Sequence, residues 1–398
     1  MQKMDCVKHV IKISTIKFSS RFRWLLVTIV FFLIVLPQHQ MALAFSFSDS
    51  SSPIPTALMK LIQNCADPKA ELDIKAIAIL VDYVLANKLN KETDLLKLQG
   101  CPGAYYEFDT KISFSRFLKY AYISQIPANL MRPSSTRYVL WDDPRRESQT
   151  LPISWKLVSS DDDPVIIRGF EHDSNTPDLT TGVYHEYDLA RTLILFKHKG
   201  QQVLISISRQ INQSDVGKKG AILGSDDDWN YYYSGEPGSF KAGMGWVKSY
   251  IYDFFSVVVY VESSASSNML RTGTFQWIRA GWYGINFVQT SHIISGLKRF
   301  ARNFKTILES PKLPTPNQMI SIYQRLSTLP NRDLMEKYTA LQQAQQSLAV
   351  QAGKISAAET RRQGFHAHIP KEQIIEELML EYIKIALGKR SLVGGKIF

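Results

Sequence analysis

The sequence predicts an α+β protein: a curved antiparallel β-sheet with a long helix packed on it, flanked by N-terminal and C-terminal helical regions. Three observations carry this. Helical periodicity runs through residues 56–130 and then stops. From about 135 to 290, short β-branched and aromatic blocks alternate with turn signals. One strongly amphipathic stretch begins at Ser291, and the chain beyond it is helical with few aromatics.

The first residues read as an address. Lys3, Lys8, Lys12, Lys17, Arg21 and Arg23 precede an apolar run from Trp24 to Leu36, which Pro37 breaks. Ala42-Leu43-Ala44 then offers a small-x-small cleavage site. The alternative is an uncleaved membrane anchor, but the run is shorter than the roughly 20 residues that cross a bilayer. Residues 1–44 are therefore expected to be a signal peptide cleaved after Ala44, with the mature chain periplasmic or secreted. Without a cysteine at the cleavage site, a lipoprotein is not expected. Residues 45–55, rich in Ser and Pro, form a flexible lead-in.

Residues 56–134 are expected to be an N-terminal helical region. Asp67-Pro68 suits a helix start, and Ile74, Ile77, Val81 and Val84 then share one face. A short helix is predicted near Thr93–Leu98, ending before Gly100, and another near Phe114–Tyr122. Cleavage removes Cys6 and leaves Cys65 and Cys101. In an oxidising compartment this pair predicts a disulfide worth about 3–4 kcal/mol in the chain-entropy model. Two buried free thiols are the alternative, and two thiols without a histidine cluster make only half a zinc site.

The region 135–310 holds the sheet and its helix. The predicted strands are Arg137–Trp141, Ile153–Ser159, Val165–Glu171, Gly182–Tyr187, Thr192–His198, Gln202–Arg209, Tyr250–Val261, Arg271–Trp277 and Trp282–Val288. Lys199-Gly200-Gln201 suits a hairpin turn. Tyr250, Tyr252, Phe254, Val258 and Tyr260 are placed on one face by strict alternation. Short connections favour antiparallel pairing, and a sheet of this width tends to curl. In the helix from Ser291, the apolar stripe is Ile293, Ile294, Leu297, Phe300, Phe304, Ile307 and Leu308, with Lys298, Arg299, Arg302 and Lys305 opposite.

Residues 311–330 read as a linker and short helix, and 331–388 as a C-terminal helical hairpin. Leu334, Leu341, Leu348 and Ile355 recur at heptad spacing. That pattern fits packing on the body of a monomer, with a dimerising coil as the alternative. Ile375, Leu378, Met379, Tyr382 and Ile385 mark the last helix, and residues 389–398 a mobile basic tail.

The net charge of +11 is uneven. The first 44 residues hold six Lys/Arg and one Asp, so cleavage leaves about +6. Residues 298–398 hold 16 Lys/Arg against 8 Asp/Glu. This basic C-terminal region suits anionic lipid head groups or cell-wall polymers at an envelope membrane surface, or is a solvated helical surface. Export argues against a nucleic-acid partner.

Seven glycines punctuate residues 217–246, among Asp226-Asp227-Asp228, Trp229 and Tyr231-Tyr232-Tyr233. The segment could be a hairpin packing on the sheet, a ligand-covering loop or a metal loop. It matches neither a dinucleotide fingerprint nor an EF-hand. No cofactor is implied. No GxSxG or HExxH occurs. Asp161-Asp162-Asp163 reads as a turn and His366-Ala-His368 as an exposed or capping pair. The candidates for an acid–base site are His172, His185, Glu186, Asp226 and Asp228, and Glu171, Asp173, Asp178 and Asp188 are close enough in sequence to join the histidines in an acid–base or metal cluster, should the sheet bring them together.

One run has a recognisable order of elements. It passes from Gly245-Trp246 through Tyr250–Val261 to Ala280-Gly281-Trp282, then through Ile285-Asn286 into the helix from Ser291. Across residues 135–310 this resembles the START-like (SRPBCC, helix-grip) ligand-binding domains. The resemblance implies a hydrophobic cavity between sheet and helix for a lipid or other hydrophobic small molecule. Trp246, Tyr250, Tyr252, Phe254, Trp282, Leu297, Phe300 and Phe304 are its candidate lining. The expected function is an exported, non-catalytic binding protein in the cell envelope. An envelope enzyme acting on glycan or lipid, or a structural partner in an envelope complex, are the alternatives.

Overall fold

Gln99 and Gly100, at φ 52° and 78°, form a two-residue turn between β1 (Glu92–Leu98) and β2 (Cys101–Thr110). In a computed structural model of the chain, the expected helix at Thr93–Leu98 is therefore a strand. A glycine that suits a helix C-terminus equally suits a hairpin turn, since both need positive φ. Lys199-Gly200 closes β6 (Glu186–His198) onto β7 (Gln201–Gln210) in the same way, as the sequence predicts.

The structure describes residues 53–65, 67, 69–86, 90–141, 148–159, 164–241, 245–263, 268–356 and 369–397. The signal peptide, Pro68, Asp161–Asp163, His366 and His368 lie outside the described residues.

The remaining strands are β3 (Thr136–Trp141), β4 (Val165–Asn175), β5 (Val183–Tyr184), β8 (Lys218–Ile222), β9 (Tyr231–Pro237), β10 (Ser239–Lys241), β11 (Gly245–Val247), β12 (Ser249–Glu262), β13 (Leu270–Trp282) and β14 (Ile285–Asn286). The main sheet runs β1-β2-β13-β12-β7-β6-β4-β3, with β14 on β13, and its pairings are antiparallel. A smaller sheet, β5-β8-β9, forms largely from the glycine-rich segment. Trp229, Tyr231 and Tyr232 of that segment are buried.

Helices cover both faces of the main sheet. On one face lie α1 (Pro53–Asn64) and α2 (Ile74–Ala86). Tyr83 of α2 meets Tyr105 and Phe275 with ring centroids 5.2 and 5.9 Å apart. On the other face lies α4 (Thr290–Leu308), where Phe300 and Phe304 each sit 5.9 Å from Phe108 of β2. The two middle layers of side chains explain why β6, β7 and β12 are buried on both faces. The fold is α+β, with an antiparallel sheet gripping a long helix. β1 and β2, from the region expected to be helical, form one edge of that sheet.

Several expectations are corrected here. Cys65 and Cys101 are free and buried. Cys65 Sγ points at Ala190 O on β6, 3.2 Å away, whereas Cys101 opens β2. Strands β2 and β6 are separated by β13, β12 and β7. At roughly 4.8 Å per strand, that is far beyond the reach of a disulfide, whose Cα atoms lie within about 7 Å. Ile153–Ser159 is irregular chain rather than a strand. Its backbone is satisfied by a side chain instead: Gln202 accepts from Val158 N at 3.1 Å and donates to Val158 O at 2.8 Å. The helix at Phe114–Tyr122 shortens to α3 (Phe114–Leu118), and Tyr122 sits at φ 53°.

The C-terminal part forms α5 (Pro316–Thr328), α6 (Asn331–Gln351) and α7 (Lys371–Ala386). Helix α7 locks onto β3: Val139 N donates to Glu376 Oε2 at 2.8 Å, and Arg137 Nε to Glu377 Oε1 at 2.9 Å. The basic tail packs rather than hanging free. Leu392 N donates to Glu381 Oε2 at 2.9 Å, and Lys389 Nζ lies 4.3 Å from the Trp229 ring. Among the described residues, no helix is long and apolar enough to cross a membrane.

Candidate functional site

Between the sheet and α4 is a cavity of about 270 Å³. Its walls come from β4, β6, β7, β12 and β13 below and from Gly296, Leu297, Arg299 and Phe300 of α4 above. Gly296 is exposed, so the cavity reaches the surface beside the first turns of the helix. A smaller void of about 30 Å³ shares Tyr122, Arg132, Tyr260 and Phe300 with it and extends toward Phe304.

The lining has two characters. Leu189, Ile251, Phe254, Val258, Ile278, Leu297 and Phe300 form an apolar wall. Interspersed with it on the same face of the sheet are Ser206 and Ser208 of β7, Ser256 of β12, Thr274 and Gln276 of β13, and Arg191 of β6. The Ile205-Ser206-Ile207-Ser208 alternation produces this. Ile205 and Ile207 are fully buried in the sheet, and the serines turn to the cavity.

Charge is concentrated at one part of the floor. Arg191 donates to Ser206 Oγ at 2.9 Å and to Ser208 Oγ, with Nε 3.1 Å from Glu171 Oε2. Beside this pair, Arg132 Nη2 lies 3.6 Å from Asp173 Oδ2 and 3.9 Å from Glu171 Oε2. These are ion-pair distances, too long for hydrogen bonds. Burial, with Glu171 beside it, pushes Asp173 up to about 7 against the pull of Arg132 and Arg191. Burial also opposes ionisation of Tyr122, but Arg191 and Arg132 outweigh it and hold the phenol below its usual value. The left-handed backbone of Tyr122 is a strained position for a bulky residue, and it presents the ring to this floor.

At another part of the lining, Arg299 leaves the polar face the sequence assigns it and is only 8% exposed. Its Nε donates to Asp226 Oδ2 at 2.7 Å, and Nη2 to Tyr231 OH at 3.2 Å. This fork clamps the Asp226–Asp228 turn of the glycine-rich segment onto α4.

Of the residues named from sequence, Phe254, Leu297 and Phe300 line the cavity and Phe304 the adjoining void. Trp246, Tyr250, Tyr252 and Trp282 lie elsewhere. For Tyr250 and Tyr252 a bulge in β12 is the cause. Its register against β13 slips between Ile251 and Asp253, so the alternation changes phase there. Ile251 faces the cavity, while Tyr250 and Tyr252 stack on each other at 6.3 Å. Trp282 stacks on Phe287 at 3.9 Å, and Trp246 is 53% exposed.

Four of the five acid–base candidates have a side-chain partner of their own. His172 Nδ1 lies 2.8 Å from Asp188 Oδ1, and Glu186 pairs with Lys218 at 2.8 Å. His185 is buried with Nε2 3.4 Å from Ser249 Oγ, and burial pushes it down to about 4 against the pull of Asp178. Asp226 is held by Arg299, and Asp228 ends the turn that begins there. Among the described residues, no group of His, Cys, Asp or Glu is arranged to hold a metal ion. The sequence reading weighed Glu171 and Asp173 only beside His172 and His185, and missed Tyr122, Arg132 and Arg191. Arg191 left one visible sign, a charge inside the apolar strand Leu189–Phe196.

No protein-family model matches the chain, and no curated protein matches it. Among solved structures, it is similar to the human StarD13 (DLC2) lipid transfer and protein localization domain. That likeness has 10% identity and a TM-score of 0.24 over 59% of this chain and 98% of that one.

Proposed function

We propose that the chain is an exported, non-catalytic binding protein that holds one single-chain amphiphile between its sheet and α4. It would act in the cell envelope, with its basic C-terminal region toward an anionic membrane surface. The observation that supports this is the cavity itself: about 270 Å³ between the sheet and α4, lined by apolar side chains together with a polar, charged part of the sheet face. Pockets for small molecules span roughly 300–1,000 Å³. This one falls just below that range, which favours one chain over a two-chain lipid. Burial of a chain against Phe254, Val258, Ile278 and Leu297 would supply about 25 cal/mol per Å² of apolar surface removed from water.

Titration with 11-(dansylamino)undecanoic acid tests the reading. Saturable one-to-one binding with blue-shifted emission is expected. Emission unchanged by the protein would reject it.

A further inference from the structure

The best-defined feature of the cavity is one edge of a guanidinium. Arg132 follows the 3₁₀ turn Ala128–Met131, and its backbone is fixed there. Its N–H donates to Asn129 O at 2.9 Å, and its carbonyl accepts from Ser135 N and Thr136 N at 2.9 and 3.0 Å. The side chain is thereby aimed at the cavity floor. Its Nε and Nη2 are buried and have no hydrogen-bond partner in the protein. These two nitrogens form one side of the guanidinium plane, with two N–H bonds parallel. That edge matches the two oxygens of a carboxylate.

Its neighbours set the charge. Arg191 is matched by Glu171 through the 3.1 Å contact and by two serine hydroxyls. Arg132 faces Asp173, which is 2% exposed and whose Oδ1 also lacks a protein partner. When Asp173 holds a proton, the four side chains carry one surplus positive charge and one O–H donor. A buried cation without a matched partner is costly, and a singly charged anion in the cavity would remove that cost. The apolar wall of the same cavity would cover the rest of such a ligand.

Resting on the binding function proposed above, we infer that the cavity selects amphiphiles ending in a carboxylate, received side-on by Arg132 Nε and Nη2 with Asp173 as the second contact. The ligand class is a single-chain carboxylic acid, and the neutral alcohol of the same length is its discriminating counterpart. Asp173 tunes the site by its proton. Ionised, it competes with the ligand for Arg132. Protonated, it donates to the ligand's second oxygen. Burial and the Glu171 charge favour the protonated form up to about neutral pH.

Calorimetric titration of the full chain with decanoic acid and with decan-1-ol at about pH 7.5 tests this. The acid is expected to bind about tenfold or more tightly than the alcohol, as a charge-assisted pair gives. Arg132→Gln should lose that preference and keep alcohol binding. Asp173→Asn removes the competing carboxylate without removing a donor, so it should tighten the acid several-fold. Equal binding of acid and alcohol by the unaltered chain, or weaker acid binding in Asp173→Asn, would overturn the carboxylate site while leaving the cavity reading intact. If neither compound binds, the cavity reading itself fails.

Discussion

Asp173 Oδ2 stands 3.6 Å from Arg132 Nη2, inside ion-pair range and outside hydrogen-bond range. Two buried, opposite groups that stop short of each other leave space for a third, and they leave a signature in stability. Asp173 is raised from 3.8 to about 7 in the folded chain. Between those values the folded state binds more protons than the unfolded one, so stability falls as pH rises through this window. Asp173→Asn should flatten part of that slope, as read from urea unfolding midpoints between about pH 5 and 8. Glu376, also raised by burial, keeps the remainder. An unchanged slope in the variant would contradict the assignment.

His185 gives the opposite sign. Burial lowers it from 6.5 to about 4, so the folded chain binds fewer protons than the unfolded one between those values. Its contribution is fully present above 6.5 and is lost as pH falls toward 4. His185→Gln should be less sensitive to acid over that range than the unaltered chain. Melting curves in a pH series would show it.

The cysteines make a chemical prediction. Burial pushes Cys65 up to about 11 and Cys101 up to about 12. Both thiols should resist iodoacetamide at about pH 8 in the native chain and react once it is unfolded. A reducing agent should leave the melting temperature unchanged. Mass spectrometry showing a cross-linked Cys65–Cys101 peptide would contradict the fold at α1 and β2.

Thr274 probes the cavity floor without altering its volume. Its Oγ1 is buried without a protein partner. Thr274→Val should therefore be neutral or stabilising by up to about 1 kcal/mol, where losing a satisfied hydroxyl would cost that much. Unfolding free energies distinguish the two.

What could be read from the sequence depended on scale. The β6–β7 hairpin and the apolar stripe of α4 were legible because their periodicity is local and each has its own turn or break. The disulfide was misread because pairing depends on strand order, and Cys65 and Cys101 meet the sheet several strands apart. Tyr250 and Tyr252 were misplaced by one bulge at Tyr252, which shifts the phase of β12 without changing its composition. Arg132, Glu171, Asp173 and Arg191 were invisible as a group, since a turn and two strands contribute them separately. Arg299 looked like a surface residue because its partner, Asp226, lies far away in sequence.

The most direct test of the account is native mass spectrometry of the chain and of Val258→Trp, each incubated with decanoic acid. The indole would fill the cavity lined by Val258. One adduct per unaltered chain and none on the variant is expected, with the variant's melting temperature retained. The bare mass for the unaltered chain, or the same adduct on both proteins, would contradict it.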